Sequence, residues 1–188
     1  STQATHEAIG KMNDDELEQD YLWNRRHAAL YRIELSALYH QKRERFFDFC
    51  DRGAKVVSIV GGSAALYKLG TDEVVAVAAA VITVVSALSL VLGFGEKARR
   101  HSELARNFKQ MLAEMLRVGE RDYTEDNLRD WEARIALLEA TEPASLGVLV
   151  RICQNELASA RPGGVRRPVG VLRWPLAHLL DLPLPKGD

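Results

Sequence analysis

Apolar residues are arranged in two ways along this chain, as unbroken runs near its middle and as helical stripes on either side. The longest run, Val74 to Gly95 (VVAVAAAVITVVSALSLVLGFG), has 22 residues and no charge. At about 1.5 Å per residue it is long enough to cross roughly 30 Å of bilayer hydrocarbon as one helix. Small residues recur along it at Ala76, Ala79, Thr83, Ser86 and Gly93, while Val77, Val81, Val84, Leu88 and Leu92 lie largely elsewhere on the cylinder. That division suits a helix packing in lipid, and it marks the small stripe for self-association or for lining a pore. The competing reading is the central helix of a soluble α-bundle, which is also apolar all round.

A second, shorter run precedes it, Gly53 to Leu69, with only Val56 to Tyr67 free of charge. Lys55 and Lys68 stand near its ends, where long stems can carry their ammonium groups to the headgroups. Between the runs, Gly70 suits a helix C′ position, Thr71 an N-cap, and Asp72 and Glu73 the positive end of the next helix. The expectation is a tight αα-hairpin crossing the membrane as an antiparallel pair, with Ser58, Gly61, Gly62 and Ala65 letting the two arms approach.

Upstream, Asn13 with Glu16 three residues later resembles a capping box. No proline or glycine follows until after Arg52, so one long helix is expected, running on into the first span. Its stripe is read as Ala28, Tyr31, Leu35 and Leu38. Downstream, Leu104, Phe108, Met111 and Met115 extend the second span as a helix to about Val118. Thr124 caps a third helix carrying Leu128, Trp131, Ile135 and Leu138. Pro143 opens a fourth with Leu146, Leu149, Cys153 and Leu157. The fold class is therefore all-α: two long helices form a transmembrane hairpin that extends into a cytoplasmic bundle with two further short helices. Leu35, Leu38, Phe108, Met111, Trp131, Ile135 and Leu149 are expected in the bundle core. The organisation is a tail over 1–13, a cytoplasmic helix over 14–52, the hairpin over 53–95, a helical region over 96–160 and a Pro-rich tail over 161–188. That tail holds five of the six prolines and cannot form a long helix. It either wraps the bundle, sets Arg166, Arg167, Arg173 and Trp174 on anionic headgroups, or is a partly ordered end.

Charge fixes the orientation. Lys42, Arg43, Arg45 and Arg52 precede the hairpin and Lys97, Arg99, Arg100, Arg106 and Lys109 follow it, whereas Gly70 to Glu73 has no basic residue. Both termini are thus expected in the cytoplasm, with no cleavable signal peptide. Arg43, Arg45, Arg52, Lys55, Lys97, Arg99 and Arg100 are read as a membrane collar. The mixture of Lys42, Arg43 and Arg45 with Phe46, Phe47 and Phe49 could also stack on a nucleotide, a reading the collar displaces. With 47% apolar and 27% charged residues and a net charge of −1, the composition is that of a folded protein with no global pull toward nucleic acid.

Candidate chemistry is sparse. The five histidines, at positions 6, 27, 40, 101 and 178, have no metal spacing, and there is neither HExxH nor a zinc-type cysteine pair. His40 shares a helix face with Glu44, and His101 with Ala105; each is read as a solvated or capped side chain. Gly61-Gly62 is not a phosphate loop, because Lys68 is not followed by Ser or Thr. Glu125, Asp126, Asp130 and Glu132 read as the exposed face and first turn of a helix. Cys50 and Cys153 are read as reduced thiols. A non-enzymatic protein without cofactor or metal is expected.

The segments WNRRHAALYRIELSALYHQKR, the hairpin, and ARRHSELARNFKQML with two short helices after it together resemble the SLATT family of bacterial conflict proteins. The resemblance covers roughly residues 15 to 160, leaving the Pro-rich end outside. It implies a two-span effector of the bacterial inner membrane that homo-oligomerises and permeabilises the bilayer in anti-phage defence. A cytoplasmic sensor protein or nucleotide signal would be its trigger. Two other classes fit the pattern: a soluble or peripheral α-helical scaffold with the hairpin as its core, and a phage holin-like or exclusion protein.

Overall fold

The computed structural model describes the backbone of residues 2–66, 72–161, 177 and 178, and the side chains in those ranges from residue 16 onward except 64–66. Within them the chain is helical and without strands: α1 (Thr2–Leu66), α2 (Asp72–Leu92), α3 (Phe94–Arg117), α4 (Glu125–Ala140) and α5 (Gly147–Ser159). The all-α expectation is met. The tip of the hairpin at Gly70-Thr71, Lys68 and most of the Pro-rich tail lie outside the described residues, as does the side chain of Ala65.

Helix α1 runs unbroken for 65 residues, roughly 100 Å, from the bundle into the first arm of the hairpin. It therefore does not begin near Asn13; the expected tail over 1–13 is helical from Thr2. Cross-helix contacts give its course against α2 and α3. Ser58 meets Ser86, Gly61 meets Ile82, Phe47 meets Phe94, His40 meets His101 and Arg26 meets Met115, an antiparallel sequence throughout.

Two apolar clusters hold the bundle. In the first, Ala29, Ile33 and Ala37 of α1 receive Phe108, Met111 and Met115 of α3, and Leu128, Trp131 and Ile135 of α4 close the layer. The α1 stripe is thus rotated from the one read in the sequence. Ala28 is exposed and Leu35 and Leu38 are half-buried, because the bulky residues of α3 require the small Ala29 and Ala37 opposite them. Leu35 and Leu38 instead flank the second cluster, where Tyr39 packs with Val148, Leu149, Cys153 and Ala177. Burial pushes the Cys153 thiol up to about 12, so this cysteine is an inert packing group. Ala177, from the C-terminal segment, packs into this cluster.

Helix α4 starts where expected: the Thr124 hydroxyl accepts from the Asn127 amide, and the Asn127 side chain accepts from the Thr124 amide. Asn127 does the work usually given to Glu or Gln at N3. Helix α5 starts later than expected. Leu146 is its N-cap, so Pro143 stands in the preceding connection and not in the first turn. There the Tyr39 hydroxyl accepts from the Leu146 amide at 3.1 Å, fixing that end. Bidentate pairs Arg25–Glu132 and Arg32–Glu139 set α4 alongside α1 at matching seven-residue steps. Glu132 thus turns inward to α1 and is not part of a purely solvated acidic face.

Candidate functional site

Helix α2 has no buried residue, and its most apolar window has a mean hydropathy of 2.7. Among the described residues it is the one stretch long and apolar enough to cross a membrane; the apolar end of α1 does not qualify. Leu90 and Val91 are 84% and 82% exposed, and Val56, Val57, Ile59 and Val60 of α1 are open as well. A polar-solvent surface of that kind is far beyond the scattered apolar residues of an ordinary soluble protein.

The two arms touch along one face. On α2 the partly covered positions are Val75, Ala78, Ile82, Val85 and Ser89, a line one step around the cylinder from the small stripe. Gly61 is needed at this contact, since a Cβ there would lie 2.4 Å from Cδ1 of Ile82. Gly62 is not: a Cβ would meet nothing within 4 Å, which removes it from the hairpin-packing set. Ser58 and Ser86 join the arms by a 3.0 Å hydroxyl contact, and the Ser58 hydroxyl also donates to the Ala54 carbonyl. Ala76, Ala79 and Thr83 face away from α1 and stay exposed. The Thr83 hydroxyl donates to the Ala79 carbonyl, so it presents little unmet polarity to its surroundings.

Gly93 has a different role from the one its place in the small stripe suggests. It is left-handed (φ 58°, ψ 46°) and separates α2 from α3. Only glycine takes that conformation without Cβ strain. Gly93→Ala should therefore cost about 1–2 kcal/mol in chemical denaturation, whereas Gly62→Ala, in open helical space, should be neutral or stabilising by up to about 1 kcal/mol. Equal effects at the two glycines would show that the break is not required.

Comparison with protein-family models, with curated proteins and with solved structures gave no match. The chain's own geometry carries the functional argument.

Beneath the hairpin the basic residues divide. Arg45, Arg52, Lys55, Lys97, Arg99 and Arg100 are exposed around its base, with Arg52 paired to Asp48 and Lys55 to Asp51 one turn away. Arg43 leaves the collar. Its guanidinium lies 4.5 Å over the Phe47 ring and donates to the carbonyl of His178, and burial lowers its pKa. Phe47 is buried and Phe46 stacks on His178, so these two aromatics belong to the packed junction; Phe49, 76% exposed, is the one left outside.

The junction holds a group of ionisable side chains that helix-by-helix reading missed. His40 and His101, expected as solvated or capped side chains, are buried, with Nδ1 atoms 2.8 Å apart across α1 and α3. Phe108 stacks on His40 and Phe47 on His101. Glu142, in the connection between α4 and α5, brings Oε1 to 3.3 Å from His40 Nε2. Burial, then the charges of His40, Arg43 and Arg100, push His101 down to about 3. The signal for this pairing was present in the hairpin itself: His40 and His101 are equidistant from the Gly70–Thr71 junction. Two ring nitrogens beside a guanidinium are a poor donor set for a metal cation, and no metal-binding group occurs among the described residues.

Proposed function

We propose that this chain is a non-enzymatic membrane effector of the SLATT kind, whose hairpin inserts in the bacterial inner membrane and self-associates to permeabilise it. The observation that carries this reading is α2: 21 residues, charge-free after Asp72 and Glu73 and predominantly apolar, none of them buried. A soluble scaffold with the hairpin as its core would bury this helix, and the bundle alongside it buries its own apolar residues well. The break at Gly93 fits the same reading. A left-handed residue frees the last carbonyls of α2 and the first amides of α3 from the helical ladder, which is tolerable where headgroups and water begin.

In this reading the exposed bases at the foot of the hairpin hold it at the cytoplasmic leaflet, with both termini inside. The outward stripe of Ala76, Ala79 and Thr83 meets neighbouring copies, Ser86 being turned to Ser58 of the same hairpin, and a cytoplasmic sensor protein or nucleotide signal acts on the bundle. Carbonate extraction of bacterial membranes should leave the protein in the pellet. A cysteine at Thr71 should react with an impermeant thiol reagent in intact spheroplasts, and one at Gln110 should stay protected. Release by carbonate would return the chain to the scaffold class, and labelling at Gln110 alone would invert the orientation.

A further inference from the structure

The seam between α1 and α3 contains a contact that accepts one extra proton and not two. At 2.8 Å, His40 Nδ1 and His101 Nδ1 must share one hydrogen, one ring donating and the other accepting. Glu142 Oε1 lies 3.3 Å from the opposite nitrogen of His40, close enough for charge attraction but outside hydrogen-bond geometry. Either ring can be the donor, according to its tautomer. A single added proton still leaves one ring nitrogen free to accept at this contact. A second would set two N–H groups head to head inside a seam where the rings are 0% and 3% exposed.

We propose that His40 and His101 form a proton-sensing latch: when both imidazoles are charged, α1 and α3 part directly beneath the hairpin. The surroundings sharpen the effect. From α1 the pair faces Tyr39 and Arg43, from α3 Lys97 and Arg100, from the α4–α5 connection Glu142, and from the C-terminal segment His178. Glu142 is the one carboxylate in that set, and it can balance only the first proton. His178 is itself held below the ordinary histidine range by burial and then by Arg43 and Lys42.

The sign follows from the direction of the His101 shift. In the closed seam His101 stays neutral down to about 3, whereas a solvated imidazole charges near 6.5. The open form thus binds more protons below about pH 6.5, and the closed form loses about a factor of ten for each further pH unit. Opening separates Phe108 from His40 and Phe47 from His101, and displaces α3 at the point where Gly93 joins it to α2.

The test is amide hydrogen exchange of the full chain in phosphatidylethanolamine–phosphatidylglycerol vesicles from pH 7.5 to 5.0, corrected for intrinsic exchange. Protection over residues 33–44 and 98–108 should be level above pH 6.5 and fall about thirty-fold by pH 5. His101→Gln and His40→Gln, checked for wild-type helix content at pH 7.5, should flatten that dependence while keeping the carboxylate pairs elsewhere. A level wild-type profile would overturn the latch, and so would the full pH dependence persisting in whichever glutamine variant folds. The readout is independent of the membrane proposal, because failure of carbonate resistance leaves the exchange profile of the bundle unchanged.

Discussion

Trp131→Ala will destabilise the bundle by about 3–5 kcal/mol and lower its melting temperature by roughly 6–20 °C. Trp131 is 5% exposed and lies between Leu128 and Ile135 on the one face of α4 that reaches α1 and α3. Truncation removes a large apolar area and leaves a cavity bounded by helices that bidentate Arg25–Glu132 and Arg32–Glu139 pairs hold at fixed spacing. Those exposed or half-exposed pairs contribute about 1 kcal/mol or less each, so they cannot offset the loss. Leu137→Ala on the same helix is the control: at 70% exposure it should change stability by less than about 0.5 kcal/mol. A Trp131→Ala loss as small as that of Leu137→Ala would mean that α4 is not docked through this face.

The second large effect concerns activity. If the chain permeabilises membranes as proposed, Ala79→Leu should abolish that activity, while Leu88→Ala should be mild. Ala79 lies off the face that α2 turns to α1, so a leucine there leaves the hairpin intact and, in the proposed assembly, would obstruct only contact with another copy. It also raises hydropathy, so insertion cannot be what fails. Interhelical contacts in membranes contribute about 1–2 kcal/mol at most, roughly a factor of ten in association for each one lost, and a ring repeats the loss at every interface. Leu88 is open on α2, and lipid tails can refill the space left by its truncation. A growth and dye-uptake assay with Ala79→Leu fully active and Leu88→Ala inactive would reverse this assignment of faces.

Local chemistry was legible in the sequence wherever one helix decides the outcome. The long charge-free run of α2, the Leu104–Phe108–Met111–Met115 stripe of α3 and the Thr124 cap of α4 each depend on residues within a turn or two. What depends on a partner was not legible. The α1 stripe was misplaced because Ala29 and Ala37 are small for reasons that lie on α3. Pro143 suits a first turn by conformation, yet the Tyr39 hydroxyl, more than one hundred residues away in sequence, fixes the helix start at Leu146. His40 and His101 looked solvated because each was weighed on its own helix. Gly93 was grouped by size with Ala76 and Ala79, while the backbone required it for its handedness.

The asymmetry between the two arms also determines how motion can pass through the molecule. Helix α1 continues without a break from the bundle into the hairpin, so it conducts torque: a rotation imposed at Trp23 or Arg26 arrives at Gly61 with the same sense. The other arm is interrupted at Gly93, where one left-handed residue breaks the helix between α2 and α3 and gives that arm no continuous rod along which to carry a rotation. Between the arms, Gly61 against Ile82 and Ser58 against Ser86 are the contacts through which a rotation of α1 would bear on α2.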